Sequence, residues 1–211
     1  MIDRTPAVGL SLSLTLAALS GCAVPDARTV DQVDSYHGVE VADPYRWLED
    51  LDGTETADWI ARQNESSGRY LDGLEHRSRI EARLTELWNY ERFGVPFKEG
   101  GRTFYSRNAG LQDQSVVYVV DAIDGEPRVL LDPNTFSDDG TVALASYSVS
   151  PDGKRIAYSI SDGGTDWKTW KVREIESGQD LADEIQYTKF SGTSWTADGQ
   201  GFYYSRYPLG E

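Results

Sequence analysis

The 211-residue chain holds one thiol and two imidazoles: Cys22, His37 and His76. Covalent acyl transfer needs a nucleophile with a base in hydrogen-bond reach and donors aimed at the developing oxyanion. No G-x-S-x-G turn occurs that would present a serine in this way. Where such an elbow is used on an open sheet, the chain order is Ser, Asp, His, with the base last. Here both histidines lie near the front. His76 opens an Arg-rich helical stretch and reads as a surface residue, and His37, in Tyr36-His37-Gly38, reads as structural. The acid pair Asp138-Asp139 precedes Gly140 and reads as a turn. Two His and one Cys so far apart in sequence do not make a zinc site. There is no Walker loop and no Gly-rich dinucleotide fingerprint. The expectation is that no residue of this chain is catalytic and that it takes no cofactor and no metal.

Cys22 has a different chemistry open to it. Residues 7–19 form an apolar run of thirteen, too short to span a bilayer. The flank before it is only weakly positive and carries Asp3. The run ends Leu19-Ser20-Gly21-Cys22, which resembles a bacterial lipobox. The resemblance implies cleavage before Cys22 and acylation of its thiol, with several acyl chains giving the stable anchoring that one cannot. An ordinary signal peptide with an incidental cysteine is the alternative. Residues 1–22 are therefore expected to be a lipoprotein signal peptide and residues 23–35 a polar tether. The expected location is the bacterial cell envelope, with the lipid as the sole membrane attachment. Ala23 rather than Asp after the cysteine suggests, by resemblance to sorting signals, the outer membrane of a two-membrane cell.

Composition narrows the partners. Lys and Arg number 20 against 35 Asp and Glu, a formal net charge of −15, which argues against nucleic acid. Apolar content of 39% with six Trp is enough for a packed core. A single Cys excludes an intrachain disulfide framework.

Residues 36–92 read as an acidic helical arm. Asp43-Pro44 suits a helix start, with Asp as N-cap and Pro in the first turn. Thr54 suits a second start, for a helix to about Leu71 that Gly73 breaks. A third helix is expected from Arg77 to about Tyr90, with Ile80, Leu84, Leu87 and Trp88 on one apolar stripe. Between Asp31 and Glu75 twelve acids face three Arg, a net of −9, which reads as a solvated face.

From Phe93 the pattern changes to strands, at residues 116–120, 129–131, 142–147, 156–160 and 170–175, separated by Gly, Asp, Pro and Ser turns. A repeat organises them. Residues 148–159 read S-V-S-P-D-G-K-R-I-A-Y-S, and residues 194–205 read S-W-T-A-D-G-Q-G-F-Y-Y-S, with Asp152 and Asp198 separated by 46 residues. A fainter copy at residues 99–106 lies 53 residues before the first. Each copy is an acid and a Gly making a tight turn, followed by a strand. Self-similarity at this period, with several strands per unit, reads as β-propeller blades. The fold class expected is mainly β: a partial β-propeller of about two and a half blades over residues 93–211, preceded by the α-helical N-terminal arm. Propellers typically close with about four to eight blades, so the chain is expected to stop before its architecture closes.

Several motifs now carry a family resemblance. D-P-Y-R-W-L-E-D at 43–50 and W-I-A-R-Q-N at 59–64 resemble the N-terminal arm of the prolyl oligopeptidase family. Y-S-R-N-A-G-L-Q-D-Q-S-V at 105–116, L-L-D-P-N at 130–134, D-G-T-V-A-L at 139–144, G-T-D-W at 164–167 and W-T-A-D-G-Q-G-F-Y-Y-S-R-Y-P at 195–208 follow in the family's order. The resemblance implies a serine endopeptidase acting on short peptides after proline. A seven-bladed propeller would restrict access to an α/β-hydrolase domain carrying the Ser-Asp-His triad. That hydrolase domain is absent from this chain and is implied as its missing partner, reached through an elbow of the form G-G-S-x-G-G. The reading expected is the N-terminal fragment of such an enzyme, inactive alone. The alternatives are a stand-alone propeller-type binding lipoprotein and an inactive remnant.

Overall fold

The computed structural model describes residues 25–208. Cys22 and the leader expected around it lie outside the described residues. The chain divides into two compact units, at Ile80 and Glu81.

The first unit is more ordered at its start than a tether. β1 (Val33–Tyr36) pairs antiparallel with β2 (Val39–Ala42), with Tyr36 opposite Val39. His37 and Gly38 form the two-residue turn, with φ of 53° and 83°; this geometry twists the backbone in the sense that suits a hairpin. Residues 33–35, expected as the end of a polar tether, are therefore strand. Earlier residues are also held: the Gln63 side chain donates to the Pro25 carbonyl at 2.7 Å, and Arg28 forms an ion pair with Glu55.

The D-P-Y-R-W motif works through its charges and its indole. Arg46 pairs with Asp34 and, at 2.6 Å, with Asp43. Trp47 Nε1 donates to the Arg28 carbonyl at 2.9 Å, and Thr56 Oγ1 donates to the Trp47 carbonyl at 3.1 Å. Residues Arg46–Glu49 make one 3-10 turn rather than an α-helix. Here the Asp43 carboxylate accepts the Tyr45 N–H at 3.3 Å and also holds Arg46. α1 (Thr54–Asp72) starts one residue after Gly53 and stops at Gly73. α2 (Arg77–Trp88) crosses the division between the units. Its stripe of Ile80, Leu84, Leu87 and Trp88 is about half exposed throughout, so the apolar face the sequence prescribes is not covered among the described residues.

The second unit is built of sheets. β3 (Arg92–Phe93), β4 (Phe97–Glu99), β5 (Arg102–Asn108), β6 (Val116–Val120) and β7 (Arg128–Leu131) form the first, with both β3 and β4 paired to β5. β8 (Val142–Val149), β9 (Arg155–Asp162), β10 (Lys168–Glu174) and β11 (Asp180–Thr188) form the second, a four-stranded antiparallel meander. β12 (Ser194–Trp195) and β13 (Phe202–Tyr203) form a two-stranded start to a third. The fold is therefore mainly β, an open partial propeller with two α-helices. β11 was not legible as a strand: D-L-A-D-E-I-Q-Y-T is acidic, and its residues are mostly exposed.

The core lies between the first two blades. Phe104, Val117, Val119, Leu130 and Leu131 of one pack against Val149, Ile156, Tyr158 and Ile175 of the next, each 9% exposed or less. Burying a side chain of this size contributes about 1.5–3 kcal/mol, which makes the interface between blades the main source of stability in this unit.

Candidate functional site

The recurring constellation is the turn that joins the first two strands of a blade. At Ser150-Pro151-Asp152-Gly153 the Ser150 hydroxyl donates to Asp152 at 2.7 Å. The same carboxylate accepts the Lys154 N–H at 3.1 Å, and Ser150 Oγ accepts the Arg155 N–H at 2.9 Å. Thr196, Asp198, Gln200 and Gly201 repeat all three bonds, at 2.6, 3.1 and 3.2 Å. In the connection from the first blade to the second, between β7 and β8, Ser137, Asp139, Thr141 and Val142 repeat the two backbone bonds, at 3.0 and 3.1 Å. The hydroxyl bonds come first in holding Asp152 and Asp198 below the usual carboxylate range, and the Thr141 N–H does so for Asp139. Their carboxylates are thus committed to their own loops, as turn residues and not as general acids or bases.

These turns stack on one another across the blade boundaries. Arg102, which opens β5, donates to the Gly153 carbonyl at 2.6 Å. Arg155, which opens β9, donates to the Gly199 carbonyl at 3.1 Å. The two arginines are counterparts in the repeat, and each reaches forward to the next turn. Gly100, at φ 53°, approaches the Gly153 backbone so closely that no Cβ fits between them.

Two further devices join the first blade to the second. Gln114 donates to the Val142 carbonyl and accepts the Leu144 N–H, both at 2.9 Å, so a side chain takes the place of a neighbouring strand. Asn134 in turn accepts the Gln114 N–H at 3.0 Å. The second device lines a cleft of about 380 Å³ with Tyr158, Arg173 and Asp180. Arg173 grips Asp180 with two nitrogens at 2.8 and 3.0 Å and donates a third bond to the Leu130 carbonyl at 2.9 Å. The Tyr158 hydroxyl donates to Asp180 at 2.9 Å.

Burial works to raise the Asp180 pKa, but bonds from Arg173 and Tyr158 outweigh it and hold the carboxyl below its ordinary value. Burial first, then the bond to Asp180, pushes Tyr158 up to about 12. A folded-state pKa raised above the unfolded 10.0 gives stability that is present below pH 10 and lost as pH rises toward about 12. Thermal midpoints are therefore expected to fall across that window, and Tyr158→Phe to flatten the fall. An unchanged alkaline slope in Tyr158→Phe would show that other groups cause it.

A second concave surface, of about 620 Å³, is aromatic. Trp167 meets Tyr207 edge to face at 5.4 Å, and Lys189 Nζ lies 5.1 Å from the Trp167 ring. Tyr187 and Phe190 both take left-handed φ, at 60° and 51°, a strained state for bulky side chains. Buried Thr188 between them is anchored by its bond to the Lys168 carbonyl at 2.7 Å. G-T-D-W was visible in the sequence as a motif, but nothing in its spacing placed Trp167 beside Lys189 or Tyr207.

Neither imidazole joins these groups. His37 sits in the β1–β2 turn and His76 is exposed ahead of α2. The arrangement can lock blades together and present a ring-lined surface. Among the described residues neither imidazole is hydrogen-bonded to a hydroxyl, and the hydroxyls of Ser150 and Thr196 that meet a carboxylate are tied into their turns.

Comparison with known proteins matches the fold to one family. The family model described as "Prolyl oligopeptidase, N-terminal beta-propeller domain" matches residues 25–210. The chain belongs to the prolyl oligopeptidase family. Prolyl endopeptidase of Elizabethkingia meningoseptica is 41% identical over 206 residues, 93% of this chain but 29% of that protein. Prolyl oligopeptidase A of Amanita bisporigera is 36% identical, covering 87% of this chain and 28% of its own length. A solved structure from work on two prolyl endopeptidases superposes with a TM-score of 0.77 at 36% identity, covering 89% of this chain and 28% of the other. Prolyl oligopeptidase B from Galerina marginata, solved with a 35-residue substrate for hydrolysis and macrocyclisation, gives a TM-score of 0.70 at 33% identity. The chain thus spans under a third of the length of these relatives.

Proposed function

We propose that this chain is the N-terminal arm and opening blades of a serine endopeptidase that hydrolyses short peptides after proline. Its blades restrict access to a catalytic α/β-hydrolase domain that this chain does not contain. The observation that carries the reading is the interlocked pair of blades with a third begun, in a chain that matches the family's N-terminal propeller domain and 28–29% of the length of a prolyl endopeptidase and a prolyl oligopeptidase. A blade pair without an elbow or a late histidine has no route to an acyl-enzyme. The stand-alone binding propeller is not favoured by the comparisons. The chain by itself is expected to leave a Gly-Pro-linked chromogenic peptide uncleaved, and a product of the same gene that includes a hydrolase domain is expected to cleave it. Turnover by the 211-residue chain that survives repurification and is blocked by a serine-directed inhibitor would overturn the reading.

For location, we propose acylation at Cys22 and residence in the envelope. The support is the placing of the chain's single thiol directly after Leu19-Ser20-Gly21. Wild type is expected in the membrane fraction and Cys22→Ser in the soluble fraction. Equal partition of the two would refute the anchor.

A further inference from the structure

Seven Asp-Gly pairs punctuate the sequence. In those of Asp139, Asp152, Asp162 and Asp198 the glycine takes the left-handed conformation, with φ between 59° and 72°. Asp124-Gly125, in the loop between β6 and β7, is reversed. Asp124 itself lies at φ 64°, and Gly125 is not left-handed. No other aspartate of the seven pairs does this. The Gly125 N–H donates to the Ala122 carbonyl at 3.0 Å, closing a four-residue turn with Asp124 in its third place. A turn with positive φ at that place alone calls for Gly or Asn. An L-residue there crowds its Cβ against the backbone carbonyl, and its mirror image does not.

The Asp124 carboxylate is also left to react. Arg128 grips nearby Asp121 at 2.8 and 3.3 Å, and among the described residues no donor or cation holds Asp124. Residues 121–127 are all exposed, and Gly125 has no side chain to shield its main-chain nitrogen. Other pairs are guarded. The Asp139, Asp152 and Asp198 carboxylates are bonded into their own loops, which favours their ionised form. Attack by an amide nitrogen expels water from the neutral acid, so bonds to the ionised form slow it.

We propose that Asp124-Gly125 is a modification site, at which the folded chain rearranges through a cyclic imide and the turn retains the D-aspartyl and isoaspartyl products. The Gly125 nitrogen bonds to Asp124 Cγ, and its proton leaves with the carboxyl hydroxyl as water. The Asp124 Cα proton, made acidic by the imide carbonyl beside it, is lost and regained, which inverts the centre. Water then opens the ring. Attack at the main-chain carbonyl leaves the chain running through Cγ, an isoaspartate, and attack at Cγ restores an aspartate of either hand. One water leaves and one returns, so no atom is gained and no oxidant is needed. A D-residue takes a φ of about +60° as readily as an L-residue takes its mirror image. The turn that strains L-Asp124 therefore accommodates D-Asp, and the extra main-chain methylene of isoaspartate relieves the same crowding.

The test ages the 211-residue chain at neutral pH, folded and in urea, and maps its tryptic peptides. Chromatography separates the isomers, and electron-transfer fragmentation locates isoaspartate. Chiral amino-acid analysis of the peptide spanning residues 108–128 counts D-aspartate. The same peptide from an Asp124→Glu chain, which keeps the charge but lacks the aspartate, gives the background. In urea the pairs at Asp124, Asp152 and Asp198 are expected to convert at similar rates. In the folded chain conversion at Asp124 is expected to exceed that at Asp152 and Asp198 by about tenfold or more. The D share at Asp124 is expected to be larger after folded ageing than after ageing in urea. Folded conversion at Asp124 no faster than at the other two overturns the proposal. Conversion with no larger D share than in urea also overturns it, because the turn then selects nothing.

Discussion

Gly100→Ala is expected to cost about 3–5 kcal/mol, near the upper end for one substitution. The methyl group would collide with the backbone nitrogen and Cα of Gly153 and with the carbonyl carbon of Asp152. All three are main-chain atoms of a turn fixed by Ser150 and Asp152, so no side chain can swing aside. The left-handed φ of 53° adds about 1–2 kcal/mol for any residue with a Cβ. Gly101 supplies the control. Its φ is 81°, yet a Cβ there meets nothing within 4 Å. Gly101→Ala is expected to show the backbone strain alone, about 1–2 kcal/mol. Urea unfolding of both variants measures the difference. Equal losses would show that the close approach of the two turns contributes nothing.

Trp170 is the second position of large effect. It is 1% exposed, so truncation to Ala is expected to cost about 3–5 kcal/mol. Its Nε1–H is buried without a partner. An unpaired buried donor is itself unfavourable by about 1–3 kcal/mol. Trp170→Phe keeps most of the ring and removes that donor, and is expected to cost far less than Trp170→Ala. Thermal melts of the two variants decide this. A Phe variant as unstable as the Ala variant would mean that the full indole volume, and not its apolar character, holds the blade.

The turns were the most legible part of the fold, because their chemistry is local. Asp152-Gly153 and Asp198-Gly199 announce themselves by residue type, and both glycines take the positive φ the motif requires. Strands with a buried face were legible as apolar runs; β6 spans the expected residues 116–120. β11 was not, since its long exposed edge has no apolar alternation for the sequence to display. The β1–β2 hairpin was missed because its strands are only four residues long and mostly exposed, and Tyr36-His37-Gly38 lacks the usual Asn-Gly or Asp-Gly signature. The locks between blades were beyond reach for a different reason. Arg102 and Gly153, or Arg173 and Leu130, are 51 and 43 residues apart, and only the stacking of sheets brings them together. The motif L-Q-D-Q-S-V could be recognised, but the two hydrogen bonds of the Gln114 side chain with β8 could not be deduced from it.

The forward reach of the two arginines bears on how the protein is made. Arg102 leaves the ribosome before Gly153, and Arg155 before Gly199. In these two locks, unlike that of Arg173 on Leu130, the donor is synthesised first and waits for its acceptor. A guanidinium can wait in water at little cost, because it stays hydrated until the later turn arrives. Chains emerge at about 5–20 residues per second, so each lock has seconds in which its partner is still being translated. Until that turn is made, each of these two arginines is unengaged, and a translational pause between donor and acceptor holds that one joint open.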